Sequence, residues 1–350
     1  MINAIGKEIE LSTLSLINEK KDREIIETVY FGGGTPSLLS IIELESILSA
    51  LKTNFQISTN CEITLEANPD DILAEKLSGW KKAGVNRLSI GIQSFKEKDL
   101  DWMNRSHTKQ QAIQSIVLAK NAGFNNLSVD LIYGTPGLSD EEWKMNVNTA
   151  IEYDIAHIAC YALTVEPKTA LQKMILLKKK ADVNADDQAR QFSLIMKWMK
   201  EARYEHYEIS NFAKPGFRSR HNSSYWQRKK YLGFGPSAHS FDGKSRKWNV
   251  ANNMLYIRSI NENHIPLEEE KLTEANQLNE YIMTSLRTIE GMDLRFVENN
   301  FSLMERNRIE NLSKKYVDGK MMTGKNDVLV LTDKGKLFAD GIAADLFQSS

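Results

Sequence analysis

Short apolar, β-prone runs alternate with longer stretches of helical spacing through the first part of the chain. The β-prone runs fall at 28–31, 62–66, 87–92, 127–133, 157–163 and 204–209. Between them, apolar residues recur at helical spacing over 41–51, 73–83, 109–122, 141–153 and 186–202, several of these entered through Asp or Ser caps. Gly84 and Gly123 stand where a helix should stop before the next strand. This alternation predicts an α/β fold, a parallel sheet with helices packed outside it, either a barrel or an open doubly wound sheet. A further helix is predicted over 2–17, with Ile5, Ile9, Leu14 and Ile17 among its apolar positions. In a repeat of strand then helix, nothing precedes that helix, so the chain reads as beginning inside a unit.

After residue 210 the texture changes. Lys214-Pro-Gly216 is a turn, and 217–241 is rich in aromatic residues, Arg, Gly and His. Helical patterns follow at 272–289 and 304–315, then a hairpin pattern built around Gly324-Lys-Asn326, then a closing helix over 333–347. The expected organisation is a partial (β/α) barrel over 1–212, a connecting region over 213–270, and a mostly helical C-terminal domain over 271–350 with a small winged-helix-like hairpin. That shape ordinarily suggests DNA binding, but the segment is close to charge balance, which favours a structural or lid role.

The strand ends favour a barrel over an open sheet. Gly32-Gly-Gly-Thr-Pro36, Glu66-Ala-Asn-Pro69, Gly91-Ile-Gln-Ser94, Asp130 with Tyr133-Gly-Thr-Pro136, Tyr161-Ala162 and Glu208-Ile-Ser-Asn211 all stand at C-terminal strand ends. Polar, glycine-bearing ends on every strand converge only on a closed or nearly closed ring, where a barrel builds its site. A dinucleotide-binding sheet would concentrate the signal at one switch point, and no Gly-x-Gly-x-x-Gly follows the first run.

Composition narrows the function class. The 350 residues are 41% apolar and 26% charged with net charge −1, so no global field draws the chain to nucleic acid or membrane. No apolar run approaches a membrane span, and no charged-then-apolar leader precedes residue 20. Two cysteines, Cys61 and Cys160, give neither a disulfide framework nor metal-ligand spacing, and the expected compartment is the cytoplasm. Oligomeric state stays open.

The converging groups are chemically mixed. Three consecutive glycines let backbone approach a ligand closely and expose its N–H and C=O groups. Glu66 and Asp130 are acceptors suited to ribose hydroxyls or an ammonium group, Gln93 offers an amide, and Arg105 can clamp a carboxylate. A ligand with amino acid and nucleoside parts would satisfy all of them.

These motifs, with Arg87-Leu-Ser-Ile-Gly-Ile-Gln-Ser-Phe95, Arg105-Ser-His107 and Asp130-Leu-Ile-Tyr-Gly134, resemble the radical S-adenosylmethionine family. The subgroup is that of oxygen-independent coproporphyrinogen dehydrogenase and the related HemW-type heme chaperones. The resemblance implies that Gly33, Gly34 and Thr35 contact S-adenosylmethionine, with Glu66, Gln93, Arg105, Asp130 and Ala162 completing the pocket. His221-Asn-Ser-Ser-Tyr-Trp226, followed by Tyr231-Leu-Gly-Phe-Gly-Pro-Ser-Ala-His-Ser240, resembles the heme-chaperone branch and implies His221 as a heme ligand. An imidazole can be an axial iron ligand, Tyr225 and Trp226 can pack on a macrocycle, and Arg218, Arg220 and Arg228 could meet propionates. His239 is a weaker second candidate.

The function so implied is binding of heme and delivery to acceptor proteins. Oxidative decarboxylation of coproporphyrinogen III and a cluster-free binding protein are the alternatives. The family holds a [4Fe-4S] cluster on a Cys-x-x-x-Cys-x-x-Cys motif after its first strand, and two distant cysteines do not supply one. The sequence reading therefore expects that Met1 is an internal methionine of a longer protein, that the cluster belongs only to the full-length form, and that the chain as written does not cleave S-adenosylmethionine reductively.

Overall fold

A computed structural model describes residues 1–18 and 25–348. The backbone follows the alternation read from the sequence. Strands β1 (Ile26–Phe31), β2 (Ile57–Ala67), β3 (Arg87–Gln93), β4 (Leu127–Tyr133) and β5 (His157–Ala162) pair in sequence order, all parallel. Helices α1 (Ile2–Asn18), α2 (Ile41–Asn54), α3 (Ala74–Ala83), α4 (Glu97–Trp102), α5 (Lys109–Asn121), α6 (Asp140–Glu152), α7 (Ala170–Leu176) and α8 (Ala185–Glu201) lie between or beside them. Capping boxes start three of the connecting helices: Ser40 with Glu43, Thr108 with Gln111, and Ser139 with Glu142. Gly84 ends α3 at φ 111, a left-handed stop that glycine takes without steric cost.

The sheet is a curled half-barrel, and its two faces differ in chemistry. Ile63, Leu65, Leu88, Ile90, Val129, Leu131 and Ile158 point outward and pack with Leu44, Leu77, Trp80, Ile116, Trp143 and Ile195 from the helices. Their alternate neighbours point inward and are mostly polar: Thr28, Tyr30, Glu62, Thr64, Glu66, Arg87, Ser89, Ser128, Asp130 and His157. A barrel interior is normally filled by branched apolar side chains, so this polar face marks the functional side. The curl brings the inward-facing groups of distant strands together. Tyr30 on β1 lies within electrostatic reach of Asp130 on β4, which a flat sheet with strands about 4.8 Å apart would set more than about 10 Å away.

The sheet edge corrects the sequence reading. Residues 204–209 were expected to form a sixth parallel strand whose end, Glu208–Asn211, joins the ring. Instead β6 (Glu205–Glu208) and β7 (Asn211–Ala213) form an antiparallel hairpin, and β7 pairs antiparallel with β5, giving the order β1-β2-β3-β4-β5-β7-β6. Glu208 accepts from Asn211 Nδ2 within this turn at 2.6 Å and bonds Arg287 at 3.1 Å, so it faces the C-terminal helices.

Helix α9 (Arg220–Trp226) follows, then β8 (His239–Phe241), β9 (Ser245–Asn249), α10 (Asn253–Asn261) and β10 (Leu267–Lys271), whose strands form a small antiparallel sheet. The remainder comprises α11 (Glu274–Leu286), β11 (Met292–Asp293), α12 (Leu294–Asn300), α13 (Leu303–Asp318), β12 (Met322–Lys325), β13 (Val328–Leu331), α14 (Asp333–Lys336) and α15 (Ala339–Leu346). It has its own core of Leu278, Ile282, Val297, Ile309, Leu329 and Ile342. The hairpin turns at Asn326-Asp327, with φ 52 and 64, rather than at Gly324-Lys-Asn326. Positive φ at both central residues is the twist a two-residue hairpin demands.

Helix α1 is tied in by one buried carboxylate. Glu8 accepts from Gly235 N, Asn249 Nδ2 and Tyr256 Oη, and burial raises its pKa. Ile9 is fully buried as the helical spacing implies, whereas Leu14 is exposed, and the side chain of Ile17 lies outside the described residues.

Candidate functional site

Gly32–Gly34 emerge from β1 as an open turn. Gly33 and Gly34 have φ +73 and +62, and no atom lies within 4 Å of where their Cβ atoms would sit. Both therefore need glycine for conformation, and both are exposed. Gly32 needs glycine for space, because a Cβ there would stand 2.6 Å from Tyr30 Cε1 and 3.1 Å from Glu66 Oε1. Pro36 and the 3-10 turn Pro36–Leu38 fix the exit. Thr35 is partly buried just before it.

Glu66, near the end of β2, accepts the Tyr30 hydroxyl at 2.6 Å on one oxygen and the Gly33 N–H at 3.3 Å on the other. Two strands away, Asp130 accepts from Ser89 Oγ at 3.4 Å. Burial, then the charge of Glu66, push its carboxyl up to about 7, against the opposing Ser89 bond and the guanidinium groups of Arg87 and Arg105. Arg105 turns inward, donating from Nη2 to Asn68 Oδ1 at 3.0 Å and Gly91 O at 3.3 Å, while its Nε is buried without a partner. Gln93 sits at φ 64 where the β3–β4 register slips between Ile90 and Gln93. A left-handed non-glycine residue at such a break stores strain of the kind found at ligand sites. Ala162 closes β5, its carbonyl accepting from Thr164 Oγ1. Gly33, Gly34, Thr35, Glu66, Gln93, Arg105, Asp130 and Ala162 thus all stand at the same end of β1–β5.

The second candidate constellation meets the same inner face from below. Helix α9 places its N-terminus on Glu62, which accepts the N–H groups of Arg220 at 3.2 Å and His221 at 3.0 Å, favourable for a carboxylate at that helix end. The His221 ring stacks on Tyr30 with centroids 4.6 Å apart at 14°. Its Nδ1 meets Thr28 Oγ1 at 3.0 Å and its Nε2 meets Tyr225 Oη at 3.1 Å. Burial pushes the imidazole pKa down to about 4, so the ring is neutral and keeps a lone pair. Tyr225 is partly exposed, edge-on to His221 and to Tyr231. Trp226 lies under the guanidinium of Arg287 at 5.1 Å, its indole N–H unpartnered.

The three arginines differ. Arg218 is held by Glu205 and Glu290, Arg220 donates to Asn60 O, and Arg228 has a buried, unpartnered Nε. His239 is exposed beside Trp248. Its backbone packs on Gly233, where a Cβ would meet the His239 carbonyl at 2.2 Å.

Thr28 and Tyr30 were missed in the sequence, where they read only as β-formers. Their even spacing from Gly32 on β1, matched by Glu62, Thr64 and Glu66 on the paired β2, is the signal that puts them on the inner face.

The pocket fits a zwitterionic nucleoside: exposed glycine backbone, two carboxylates and a guanidinium with an unpartnered Nε converge. A [4Fe-4S] cluster does not fit the residues present. Cys61 and Cys160 are both buried among the outward-facing apolar residues, and burial raises both thiols. Among the described residues, no group of three His, Cys, Asp or Glu side chains could hold a metal ion. Nor is any helix of the described residues long and apolar enough to cross a membrane.

Comparison with known proteins identifies relatives of the whole chain. Residues 4–150 match the Radical SAM superfamily. The heme chaperone HemW of Bacillus subtilis is 31% identical over 97% of this chain and 89% of its own length. HemW of Lactococcus lactis is 33% identical over 94% of this chain and 87% of that protein. HemW of Escherichia coli is 37% identical over 61% of this chain and 56% of its own. Among solved structures, coproporphyrinogen III oxidase (HemN) from Escherichia coli, a radical SAM enzyme, superposes with a TM-score of 0.83 over 99% of this chain and 82% of that one, at 19% identity.

Proposed function

The chain belongs to the HemW family within the radical SAM superfamily, and on that premise we propose that it binds heme and S-adenosylmethionine and passes heme to acceptor proteins. The observation that carries the reading is the pairing of two sites on one sheet face. The glycine turn with Glu66, Asp130, Gln93 and Arg105 suits the amino acid and nucleoside parts of S-adenosylmethionine. Thr35 and Ala162 border it.

His221 supports the heme part because burial keeps its imidazole neutral, the form that ligates iron. Both ring nitrogens rest on hydroxyls, of Thr28 and Tyr225. A neutral hydroxyl contact contributes about 1 kcal/mol net, so a stronger metal–imidazole bond can displace Tyr225. That exchange lets the site take heme and give it up.

No step through an iron–sulfur cluster is assigned to this chain, since Cys61 and Cys160 do not fit one. Coproporphyrinogen oxidation remains the second reading, favoured only by the likeness of fold to HemN, and fold alone does not carry activity. Heme transfer tests the leading reading. Protein loaded with hemin and mixed with a heme-free acceptor should lose its own absorption as the acceptor gains its native spectrum. An acceptor that fills no faster than with free hemin contradicts it.

A further inference from the structure

We propose that Tyr30 is a positioning residue that couples the glycine-turn pocket to the His221 imidazole, so that a ligand in one site tightens binding in the other. The proposal rests on the two-site reading above and specifies how the sites communicate.

The geometry is a short unbroken line. The Gly33 N–H and the Tyr30 hydroxyl occupy the two oxygens of Glu66, at 3.3 and 2.6 Å. The Tyr30 ring is the stacking partner of His221 at 4.6 Å and 14°. Each link resists independent motion. A Cβ on Gly32 would stand 2.6 Å from Tyr30 Cε1, so the ring lies flush against the turn backbone and shifts when the turn shifts. The bond from Tyr30 to a carboxylate is of the short, charge-assisted kind.

Tyr30 and Gly33 each hold one oxygen of Glu66, and an arriving ammonium or ribose hydroxyl shares those oxygens and draws charge away from the Tyr30 bond. Tyr30 is then held less firmly, and with it the face against which His221 is stacked. The imidazole sits on a helix of 7 residues, none of them fully buried, held at its N-terminus by Glu62. Such a helix reorients without disturbing the outward-facing core. Filling the pocket therefore favours the arrangement in which His221 has left Thr28 and Tyr225 and can meet iron.

A hemin titration followed at the Soret band, with and without saturating S-adenosylmethionine, tests this. In the wild type, S-adenosylmethionine should tighten hemin binding by about fivefold or more, within the usual range of coupling between sites. Calorimetry should show hemin tightening S-adenosylmethionine by the same factor, because coupling of binding free energies is reciprocal. Tyr30→Phe keeps the stacked ring but removes the donor to Glu66. It should bind both ligands with a coupling ratio near one.

Should that variant not fold, Glu66→Gln, which weakens the same bond, should lower the ratio instead. A wild-type ratio of one with both ligands bound overturns the proposal, as does a ratio unchanged by Tyr30→Phe. Failure of the underlying assignments is separable. Hemin binding untouched by His221→Ala removes the heme site, absence of any heat with S-adenosylmethionine removes the pocket, and either removes the coupling with it.

Discussion

Asp130 makes the pocket pH-sensitive in a calculable way. Burial and the neighbouring charge of Glu66 push its carboxyl up to about 7 from an ordinary value of 3.8. A ligand that brings hydroxyl donors and an ammonium group selects the ionised form. With a midpoint near 7, about 10% of the protein is ionised at pH 6 and about 90% at pH 8. If only that form binds, the apparent dissociation constant for S-adenosylmethionine should be about tenfold weaker at pH 6 than at pH 8.

Titration calorimetry across this range measures it, and heats that depend on the ionisation enthalpy of the buffer should reveal a proton released near pH 6.5. Asp130→Asn preserves shape and removes the titration, so its affinity should be weaker and flat with pH. A flat wild-type profile refutes the reasoning, and so does an Asp130→Asn variant that keeps the wild-type slope. Stability runs the other way. The folded protein holds a proton that the unfolded chain gives up, so this contribution is complete below about pH 3.8 and is lost as pH rises through about 7. Asp130→Asn should therefore gain stability relative to the wild type between pH 5 and pH 8.

The turn glycines should separate conformation from space. Gly33→Ala has room for its methyl group but forces φ +73 on alanine, a cost of about 1–2 kcal/mol by urea unfolding, with weaker S-adenosylmethionine binding by calorimetry and hemin binding nearly unchanged. Gly32→Ala drives its Cβ into the Tyr30 ring and should weaken S-adenosylmethionine binding while disturbing the face on which His221 stacks, so hemin binding measured without S-adenosylmethionine should tighten. At α1, Glu8→Ala strands the donors of Gly235, Asn249 and Tyr256. Each unpaired buried donor costs about 1–3 kcal/mol, so a loss of about 3 kcal/mol or more is expected in urea unfolding, with Glu8→Gln recovering part of it.

Much of the sheet was legible because its signals are local. The run at 127–133 is β4 residue for residue, bounded by the helix stop at Gly123 and by Gly134. Alternation in Glu62-Ile-Thr-Leu-Glu66 encodes one polar and one apolar face of the strand. Strand direction is not encoded that way. The residues at 204–209 look like any other strand, and only the tight Glu208–Asn211 turn reverses the chain and makes the edge antiparallel.

Helix α9 was read as a motif but not as a helix, since 7 residues with none fully buried carry no apolar stripe. Strand β10 escaped for a similar reason, its Leu-Glu-Glu-Glu-Lys being exposed throughout. At the site, the strand-end residues could be named because polar groups and glycines there are unusual. Tyr30 and Thr28 could not, because their importance lies in what α9 brings against them.

The central claim is that His221, on the inner face of the half-barrel, is the residue that takes up heme iron. Titration of the protein and of His221→Ala with hemin, followed at the Soret band, tests it most directly. Heme ligation by His221 predicts a saturable, stoichiometric spectral shift in the wild type and loss of that ligation spectrum in His221→Ala, with the variant's unfolding midpoint close to the parent's. An unaltered spectrum and affinity in His221→Ala would contradict it.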